Sequence, residues 1–373
     1  MPGPVLAEVD ALAPLLRVRS VDIEAARTLP VDLVKQLAEI GAFKLFVPAR
    51  YGGAELSPSE GFAVTEALAH ADGATGWCQM IAMTTGVLAG YLPGAHAAAI
   101  YESPSAITGG FAAPVGRATA TDGGLAVSGR WQWGSFTGHC TTIGGGVRLE
   151  GGSSRFAYFD RDDVELLDTW YVAGLKGTGS TDYQVDNAFV PEGRWVAVGS
   201  TPPVEDGPLY RFSFFGLLAT GVAAVALGLA RRSIDELVEL AGVKTPQGSS
   251  RPLSERGATQ SDVAIAEAQL RSARALLDDV IGSAWDVCAS RDAPDDEHRR
   301  LIRLAATHAT QTAATIVDRM YTAGGGAAIF EDNALQRVFR DVHVATQHAI
   351  TAPRTMELVG RLKLGLDTDT RQL

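Results

Sequence analysis

Residues 128–140, SGRWQWGSFTGHC, place two indoles and a hydroxyl at alternate positions, Trp131, Trp133 and Ser135. Side chains two residues apart on a β-strand point to the same side, so the spacing predicts one face that carries both rings and the hydroxyl. An aromatic wall with a single hydroxyl suits a flat, partly polar ring. The alternative is that both tryptophans fill the core between a sheet and its neighbouring helices.

A second segment with polar side chains is GLKGTGS (174–180), in which Thr178 and Ser180 could donate hydrogen bonds to an anion. Glycine-rich loops bind anions because their backbone N–H groups can converge on one point. A hairpin turn has much the same composition. Both interpretations stay open from the residues alone.

A third segment, AGGGA (323–327), contains Gly324 and Gly325 just before a predicted helix, for which Asn333 would be the N-cap and Gln336 its capping-box partner. Glycines allow close backbone approach to a phosphate. Taken alone, the segment predicts only a turn.

His348 lies in RDVHVATQHAI (340–350) near the end of the chain. An imidazole has an ordinary pKa of about 6.5, so it can both donate and accept a proton near neutral pH. The alternative is that His348 packs or caps a helical bundle. We interpret His343, which would lie on another helical face, as structural or exposed.

Composition excludes several classes of function. The chain of 373 residues carries 32 basic and 43 acidic residues, a net charge of −11, without a basic stripe for nucleic acid. The N-terminal residues lack a basic segment followed by a long apolar run, and the apolar stretch near 217–230 is short for a membrane span, so we expect a cytoplasmic protein with no membrane partner. Three cysteines at wide spacings predict reduced thiols and no metal site.

The elements that must position these residues fall into three parts. Helical patterns with a capping box at Ser57-Pro58-Ser59-Glu60 predict a helical N-terminal domain, and an apolar segment at 76–92 predicts a buried helix. Short β-branched segments with glycine-rich turns predict a β domain, and alanine- and leucine-rich periodic segments predict a helical end. The predicted domains are residues 1–103, 104–205 and 206–373.

Three segments carry a family resemblance: LFVPARYGGAELSPSE (45–60), GLKGTGSTDYQVDNAFVPEG (174–193) and YTAGGGAAIFEDNALQRVFRD (321–341). In order and spacing they resemble the acyl-CoA dehydrogenase superfamily over nearly the whole chain. The resemblance implies an α+β flavoprotein with a helical N-terminal domain, a β-barrel or sandwich middle domain and a C-terminal four-helix bundle, usually assembled as a homotetramer.

The resemblance also assigns roles to flavin-binding residues. Trp133 would cover the isoalloxazine ring, and Ser135 would hydrogen-bond the flavin edge or the substrate. Thr178 and Ser180 would belong to the same cofactor site.

The resemblance further implies that the Gly324–Gly325 turn touches the flavin phosphates of a neighbouring subunit. Arg251 occupies the loop in which family members place a phosphate-binding arginine, but the usual Arg-x-x-Phe-Gly pattern is absent. FMN and FAD therefore both remain open as the cofactor.

Both positions at which acyl-CoA dehydrogenases carry their catalytic carboxylate lack an acid. The residue nine positions after Arg340 is Ala349, and residues 211–234 contain no Asp or Glu. His348 stands beside the empty position, which resembles the two-component, reduced-flavin monooxygenases of the same fold. Their segment corresponding to 109–131 is also similar.

This second resemblance implies a reaction of reduced FMN or FAD with O2 through a C4a-hydroperoxyflavin. His348 and Ser135 would be catalytic, and Trp77, Phe111 and Thr84 would line the substrate pocket. No Gly-x-Gly-x-x-Gly follows a predicted strand, so we expect a separate flavin reductase as partner.

The substrate expected from the resemblance is a small aromatic, heteroaromatic or amine compound. Several such oxygenases carry a second histidine on the helix after the Trp77 position, where this chain has Thr84 and Thr85. That departure makes a phenol less secure. Two alternatives stay open: an acyl-CoA dehydrogenase or oxidase with FAD and its base elsewhere, and a flavin-free assembly subunit.

Overall fold

The computed structural model describes residues 3–371 and 373. Residues 1, 2 and 372, which belong to the first and last predicted domains, lie outside the described residues. Helices lead into a block of strands, and helices follow again. The helices and strands are α1 Pro4–Ala26, α2 Val31–Glu39, α3 Pro58–Ala71, α4 Gly73–Gly86, α5 Gly94–Tyr101, β1 Thr108–Thr121, β2 Gly124–Gly134, β3 Thr142–Leu149, β4 Ser154–Asp160, β5 Glu165–Leu167, β6 Thr181–Pro191, β7 Trp195–Val196, α6 Phe214–Val243, α7 Gly257–Ala289, α8 Asp296–Gly324, α9 Ala334–Ala345 and α10 Arg354–Lys363.

The predicted capping box begins α3. The Ser57 side chain accepts a hydrogen bond from the Glu60 backbone N–H, and the Glu60 carboxylate accepts one from the Ser57 backbone N–H at 3.0 Å. Pro58 occupies the first helical position, where its missing N–H leaves no bond unmade. The sequence prediction for this helix start is confirmed.

Helix α4 is buried along its whole length, as its apolar sequence predicts. Asp72 caps its N-terminus by accepting a hydrogen bond from the Thr75 backbone N–H at 2.8 Å. The helix packs against α3 and α6 and contacts β1. It therefore forms a rigid support between the helical and β parts of the molecule.

The β domain is confirmed, and its strands form one seven-stranded mixed sheet. The strand order is β5-β6-β2-β1-β3-β4-β7, and only the β1–β3 pair is parallel among the described strands. This is a more specific arrangement than the barrel or sandwich predicted from the resemblance. Strand β1, at the centre of this sheet, contacts α4.

In the part of the chain that the structure describes, three long helices, α6, α7 and α8, form the C-terminal bundle together with the shorter α9. Helices α6 and α8 pack along each other, α7 packs on α8, and α9 contacts both α6 and α8. Among the described residues, one helix, Phe214–Val243, is long and apolar enough to cross a membrane, but 83% of its most apolar window is buried inside the protein. Burial among the other helices accounts for its composition.

The structure changes type between Tyr101 and Thr108 and again between Val196 and Pro208. The predicted domain limits at 103/104 and 205/206 lie inside these two connections. The chain thus passes from helix to sheet in a short turn and returns through a longer segment.

Replacing Ser57 with alanine tests the capping box. Ser57→Ala removes the hydroxyl acceptor for the first turn of α3, and we expect the free energy of unfolding to fall by about 1 kcal/mol. Urea denaturation measures the change. Ser59→Ala, at an exposed position in the same turn, is the control, and an equal loss in both variants would contradict the capping role.

Candidate active site

The side-chain hydroxyls of Ser135, Ser180 and Thr178 form one buried row of hydrogen bonds, the hydroxyl chain. The Ser135 and Ser180 Oγ atoms lie 2.7 Å apart, and the Ser180 Oγ and Thr178 Oγ1 atoms lie 2.6 Å apart. Thr178 Oγ1 donates to the backbone carbonyl of Leu175 at 2.8 Å. Ser135 follows β2, and the other two residues precede β6, so strand pairing brings them together.

Trp77 of α4 lies between the hydroxyl chain and His348, the predicted catalytic histidine. The indole Nε1 of Trp77 donates a hydrogen bond to Ser135 Oγ at 3.0 Å. The ring centroids of Trp77 and His348 lie 5.7 Å apart in an edge-to-face arrangement, with the ring planes at 63°. The structure therefore assembles Trp77, Ser135 and His348 from the N-terminal, β and C-terminal parts of the chain.

His348 lies in a turn after α9, and its backbone neighbours fix the tautomer of its ring. The backbone N–H of Ile350 donates to His348 Nδ1 at 3.3 Å, so Nδ1 must be unprotonated in this arrangement. Arg303 of α8 donates from Nη2 to the Ile350 carbonyl at 2.8 Å and holds the same turn. The neutral ring then carries its hydrogen on Nε2.

The surroundings of His348 revise the expectation that it titrates near neutrality. Burial, and secondarily the positive charge of Arg303, lower the pKa of His348 to about 4. The imidazole is therefore neutral at pH 7. It can donate a hydrogen bond from Nε2, whereas Nδ1 is already an acceptor.

The prediction that Trp131 and Trp133 share one side of a strand is wrong. The β2–β6 pairing shifts register between Trp131 and Gly134, and Trp133 adopts a left-handed backbone with φ of 59°. Trp131 is fully buried and stacks on Tyr183 with a centroid distance of 5.2 Å. Trp133 is 58% exposed. The core interpretation thus holds for Trp131 and the ligand interpretation remains for Trp133.

The exposed Trp133 and the half-buried Phe111 form an aromatic pair, and Trp133 lies two residues before Ser135 in the sequence. Their ring centroids lie 5.9 Å apart with the planes at 69°. A large side chain at positive φ is strained, and such strain is commonly retained at functional sites. The exposed indole of Trp133 and the hydroxyl of Ser135 are the kinds of group that suit a flat ring with a polar edge.

Two buried carboxylates that sequence reasoning did not assign to the site hold its parts in place. Asp341 of α9 accepts a hydrogen bond from the Leu175 backbone N–H at 2.5 Å, and Asp72 caps α4. Burial raises the pKa of Asp341 to about 7, and the nearby Asp72 adds to this shift. Burial also raises the pKa of Asp72. The sequence signals were the Arg340-Asp341 pair and the acid directly before α4.

Ion pairs fix the loop that leads to Thr178. Arg340 donates to the Ala173 carbonyl at 2.7 Å and pairs with Glu24 of α1, which also pairs with Lys176 at 3.3 Å. Gly174 lies against the Arg340 backbone, where a Cβ atom would come within 2.2 Å of the Arg340 carbonyl oxygen. The loop is thus clamped between α1 and α9.

Thr84, predicted to line the substrate pocket, lies two turns beyond Trp77 on α4. Its hydroxyl donates to the Met80 carbonyl of its own helix at 2.8 Å, and the residue is buried. The structure shows no polar contact between Thr84 and the hydroxyl chain among the described residues. Its place in a pocket stays a prediction.

The predicted phosphate-binding residues lie at another part of the bundle. Gly324 ends α8, where its carbonyl accepts a hydrogen bond from Lys244 Nζ at 2.5 Å, and Gly325 has φ of 53°. Arg251 is exposed in the loop that follows Lys244. The expected cofactor contacts of these three residues remain predictions.

Gly324 packs against α9 and α6, where a Cβ atom would lie 2.9 Å from Leu335 Cδ1 and 3.7 Å from Leu240 Cδ2. Asn333 caps α9 as predicted, but the Gln336 side chain bonds the Glu331 carbonyl and Arg340 instead of completing a capping box.

Two further histidines have structural contacts. His343 pairs with Asp318 at 2.9 Å, and His139 Nε2 lies 3.0 Å from Thr28 Oγ1. Within residues 3–371 and 373, no group of three or more His, Cys, Asp or Glu residues could hold a metal ion. The three buried cysteines are free thiols.

Comparison with known proteins gives the family. Residues 11–94 match the model "Acyl-CoA dehydrogenase, N-terminal domain", and residues 220–353 match "Acyl-CoA dehydrogenase, C-terminal domain". Indole-3-acetate monooxygenase of Pseudomonas putida is 32% identical over 98% of this chain and 96% of its own length. The chain belongs to the monooxygenase branch of the acyl-CoA dehydrogenase superfamily.

A second relative and a solved structure agree with this family assignment. The flavin-dependent monooxygenase oxygenase subunit HsaA of Mycobacterium tuberculosis is 30% identical, covering 97% of this chain and 95% of its own. The 3-HSA hydroxylase of Rhodococcus sp. RHA1 has the same fold, with a TM-score of 0.92, 26% identity and 99% coverage of both chains. The resemblance stated from the sequence, including its oxygenase branch, is confirmed.

The pH dependence of stability tests the burial of Asp341. Because the pKa of Asp341 is about 7 in the folded protein and near its ordinary value of 3.8 when unfolded, the folded state alone holds this proton between about pH 4 and pH 7. The stability contributed by Asp341 therefore falls as pH rises through that window. Asp341→Asn keeps the Oδ1 acceptor and cannot ionise.

We therefore expect the free energy of unfolding of Asp341→Asn, relative to the unchanged protein, to increase from pH 4 to pH 7 by at most about 4 kcal/mol. Urea unfolding at both pH values gives this difference. Asp122→Asn, at an exposed turn, is the control. A difference that stays constant or decreases with pH would refute the buried, protonated carboxyl.

Trp133→Leu tests the aromatic wall. Loss of the indole face removes the ring contact, and we expect the dissociation constant of FMN or FAD to rise by about tenfold. Fluorescence anisotropy of the flavin measures it. Phe189→Leu, which changes another exposed aromatic side chain of the same sheet, should leave binding unaltered. Equal affinities in all three proteins would exclude Trp133 from the flavin site.

Proposed function

We propose that this protein is the oxygenase component of a two-component flavin-dependent monooxygenase. It would receive reduced FMN or FAD from a separate reductase and use O2 to oxygenate a small aromatic, heteroaromatic or amine substrate. The family assignment supports the reaction type. The activities for which its relatives are named support an aromatic substrate.

The observation that carries this proposal is the position of Trp77 between Ser135 and His348. One indole donates to the buried hydroxyl and packs edge to face on the imidazole. A polar hydrogen-bonding group and a proton-bearing ring are thereby held on the two sides of one rigid helix residue. Such an arrangement can orient a cofactor edge and supply a hydrogen-bond donor in a partly dry site.

The described residues fit a flavin. Trp133 would cover the ring system, Phe111 packs on Trp133 and would line the adjoining substrate pocket, and Ser135 would bond the polar edge of the flavin, supported by Ser180 and Thr178. When bound, the reduced flavin supplies the electrons that activate O2. The protein supplies binding, orientation and exclusion of water.

His348 would serve as a hydrogen-bond donor to the reacting oxygen. Its neutral ring carries the hydrogen on Nε2, because Nδ1 accepts from the Ile350 backbone. Arg303 holds the turn and its charge disfavours a second proton on the ring. The residue therefore keeps one defined proton at one defined atom over the neutral pH range.

The substrate class follows from the aromatic lining and from the relatives. Indole-3-acetate and p-hydroxyphenylacetate appear in the names of two relatives of this chain. Thr84 and Thr85 occupy the helix on which a second histidine would assist a phenol, and their hydroxyls bond backbone carbonyls. An indole-like or other nitrogen-containing aromatic compound is therefore favoured over a simple phenol.

A neighbouring subunit would complete the cofactor site. Arg251 is exposed and Gly324 and Gly325 lie at the end of α8, and the family resemblance supports their contact with the flavin phosphates of another copy. This arrangement agrees with a homotetramer. We place the enzyme in the cytoplasm, without membrane or nucleic-acid partners.

The acyl-CoA dehydrogenase alternative requires a carboxylate free to remove a proton. Position 349 is alanine, and the buried Asp72 and Asp341 both accept backbone hydrogen bonds that hold the site together. If the alternative were correct, an acyl-CoA would bleach bound oxidised FAD under anaerobic conditions. We expect no bleaching.

The direct test uses ¹⁸O2. Purified protein is mixed with photoreduced FMN or FAD, ¹⁸O2 and either indole-3-acetate, indole or p-hydroxyphenylacetate, and products are analysed by mass spectrometry. We expect one ¹⁸O atom in the product of at least one substrate. Oxidised flavin and hydrogen peroxide alone, with every substrate, would contradict the proposal.

His348→Ala removes the Nε2 donor and should lower the product formed per flavin oxidised by at least about tenfold, since one positioned donor commonly contributes that much or more. Flavin affinity should change little. The control is His343→Ala, which removes another imidazole of the segment that carries His348, one that pairs with Asp318. Equal amounts of product per flavin oxidised in both variants would exclude His348 from the mechanism.

A further inference from the structure

The hydroxyl chain has only one consistent order of hydrogen atoms in the structure. Each hydroxyl has a single hydrogen to donate. Thr178 donates its hydroxyl hydrogen to the Leu175 carbonyl, which can only accept a hydrogen bond. Ser180 must therefore donate to Thr178, and Ser135 must donate to Ser180.

This order makes Ser135 a hydrogen-bond acceptor toward any ligand. Ser135 donates its one hydrogen to Ser180, and one of the two lone pairs of Ser135 accepts the hydrogen bond from the Trp77 indole N–H. One lone pair remains. A ligand that presents an N–H to Ser135 gains a hydrogen bond, whereas a ligand that presents a lone pair meets another lone pair.

The two redox states of a flavin differ in this respect. The ring nitrogen N5 carries a hydrogen in the reduced form and only a lone pair in the oxidised form. With the reduced form at Ser135, four hydrogen bonds can exist: one from the ligand, and one donated by each of the three hydroxyls.

The oxidised form allows only three bonds. For Ser135 to donate to a ligand, Ser180 must donate to Ser135 and Thr178 to Ser180, so the bond from Thr178 to the Leu175 carbonyl is lost. The difference of one hydrogen bond arises from Thr178, although Thr178 itself need not touch the ligand.

We propose that Thr178 is a positioning residue that makes this site prefer reduced over oxidised flavin, by fixing Ser135 as an acceptor at N5. The inference rests on the proposed function, because it requires a flavin at Ser135. The preference would let the oxygenase capture the product of a reductase in the presence of the oxidised flavin pool.

The rest of the fold keeps the end of the chain in place. Leu175 donates its N–H to Asp341, and its carbonyl also accepts from Trp170 Nε1 at 3.3 Å. Ser135, Thr178 and Ser180 are all buried, so bulk water does not readily replace a lost bond. The Leu175 carbonyl is therefore held in one position, where it accepts the hydrogen bond from Thr178.

The same count predicts the effect of two substitutions. In Thr178→Val the chain loses its final donor, and each redox form then allows two hydrogen bonds. In Ser180→Ala the link between Thr178 and Ser135 is broken, and again both forms allow equal numbers. Thr178→Ser keeps the hydroxyl and should keep the preference.

The experiment measures dissociation constants of oxidised FMN and of photoreduced FMN under anaerobic conditions, by equilibrium ultrafiltration, for the unchanged protein and these three variants. FAD is tested in parallel. We expect the ratio of the oxidised to the reduced constant to fall by about two- to tenfold in Thr178→Val and Ser180→Ala. Thr178→Ser should match the unchanged protein.

The midpoint potential of bound flavin gives a second readout. A tenfold loss of preference for the reduced form lowers this potential by about 30 mV for a two-electron couple. General loosening of the site would weaken both redox forms alike and leave the ratio and the potential unaltered.

An unaltered ratio in Thr178→Val and Ser180→Ala, with flavin still bound, overturns the inference and leaves the proposed function standing. The same result would follow if Ser135 faced the N3–H of the ring, which both redox forms carry. Absence of binding of either form to the unchanged protein would overturn both.

Discussion

The hydrogen bond from the Trp77 indole to Ser135 is the contact on which the site depends. It joins a helix of the N-terminal part to the end of a central strand, and the same indole packs against the imidazole contributed by the C-terminal bundle. A buried indole N–H is costly without an acceptor, so this bond strongly restricts the position of Ser135. The remaining hydroxyls extend from that fixed point.

Two buried carboxylates hold the segments around this contact in place. Asp72 and Asp341 each accept a hydrogen bond from a backbone N–H group. Asp72 thereby fixes the start of α4, which carries Trp77, and Asp341 fixes the loop that leads to Thr178. Acids in such positions lose hydration and shift toward the neutral form. They therefore organise the site while being poorly placed to act as bases, which separates this chain chemically from enzymes that remove a proton next to a thioester.

Local sequence signals predicted much of this arrangement. The capping box at Ser57, the buried α4 and the sheet of short strands follow from spacing and residue type, and the family resemblance assigned His348 and Trp77 to one site. Long-range pairing decided the rest. The shift between β2 and β6 at Trp133 depends on the partner strand, so strict alternation failed there. The hydrogen bond that the Leu175 N–H donates to Asp341 links residues 166 apart, which no local pattern contains.

Trp133 combines two requirements that oppose each other. Its left-handed backbone would be relaxed by glycine, while its exposed ring is useful only if something flat lies on it. Glycine in place of Trp133 would thus relax the backbone of the unliganded protein and would at the same time remove the exposed ring. The stability of the unliganded fold and the aromatic surface at this position therefore oppose each other.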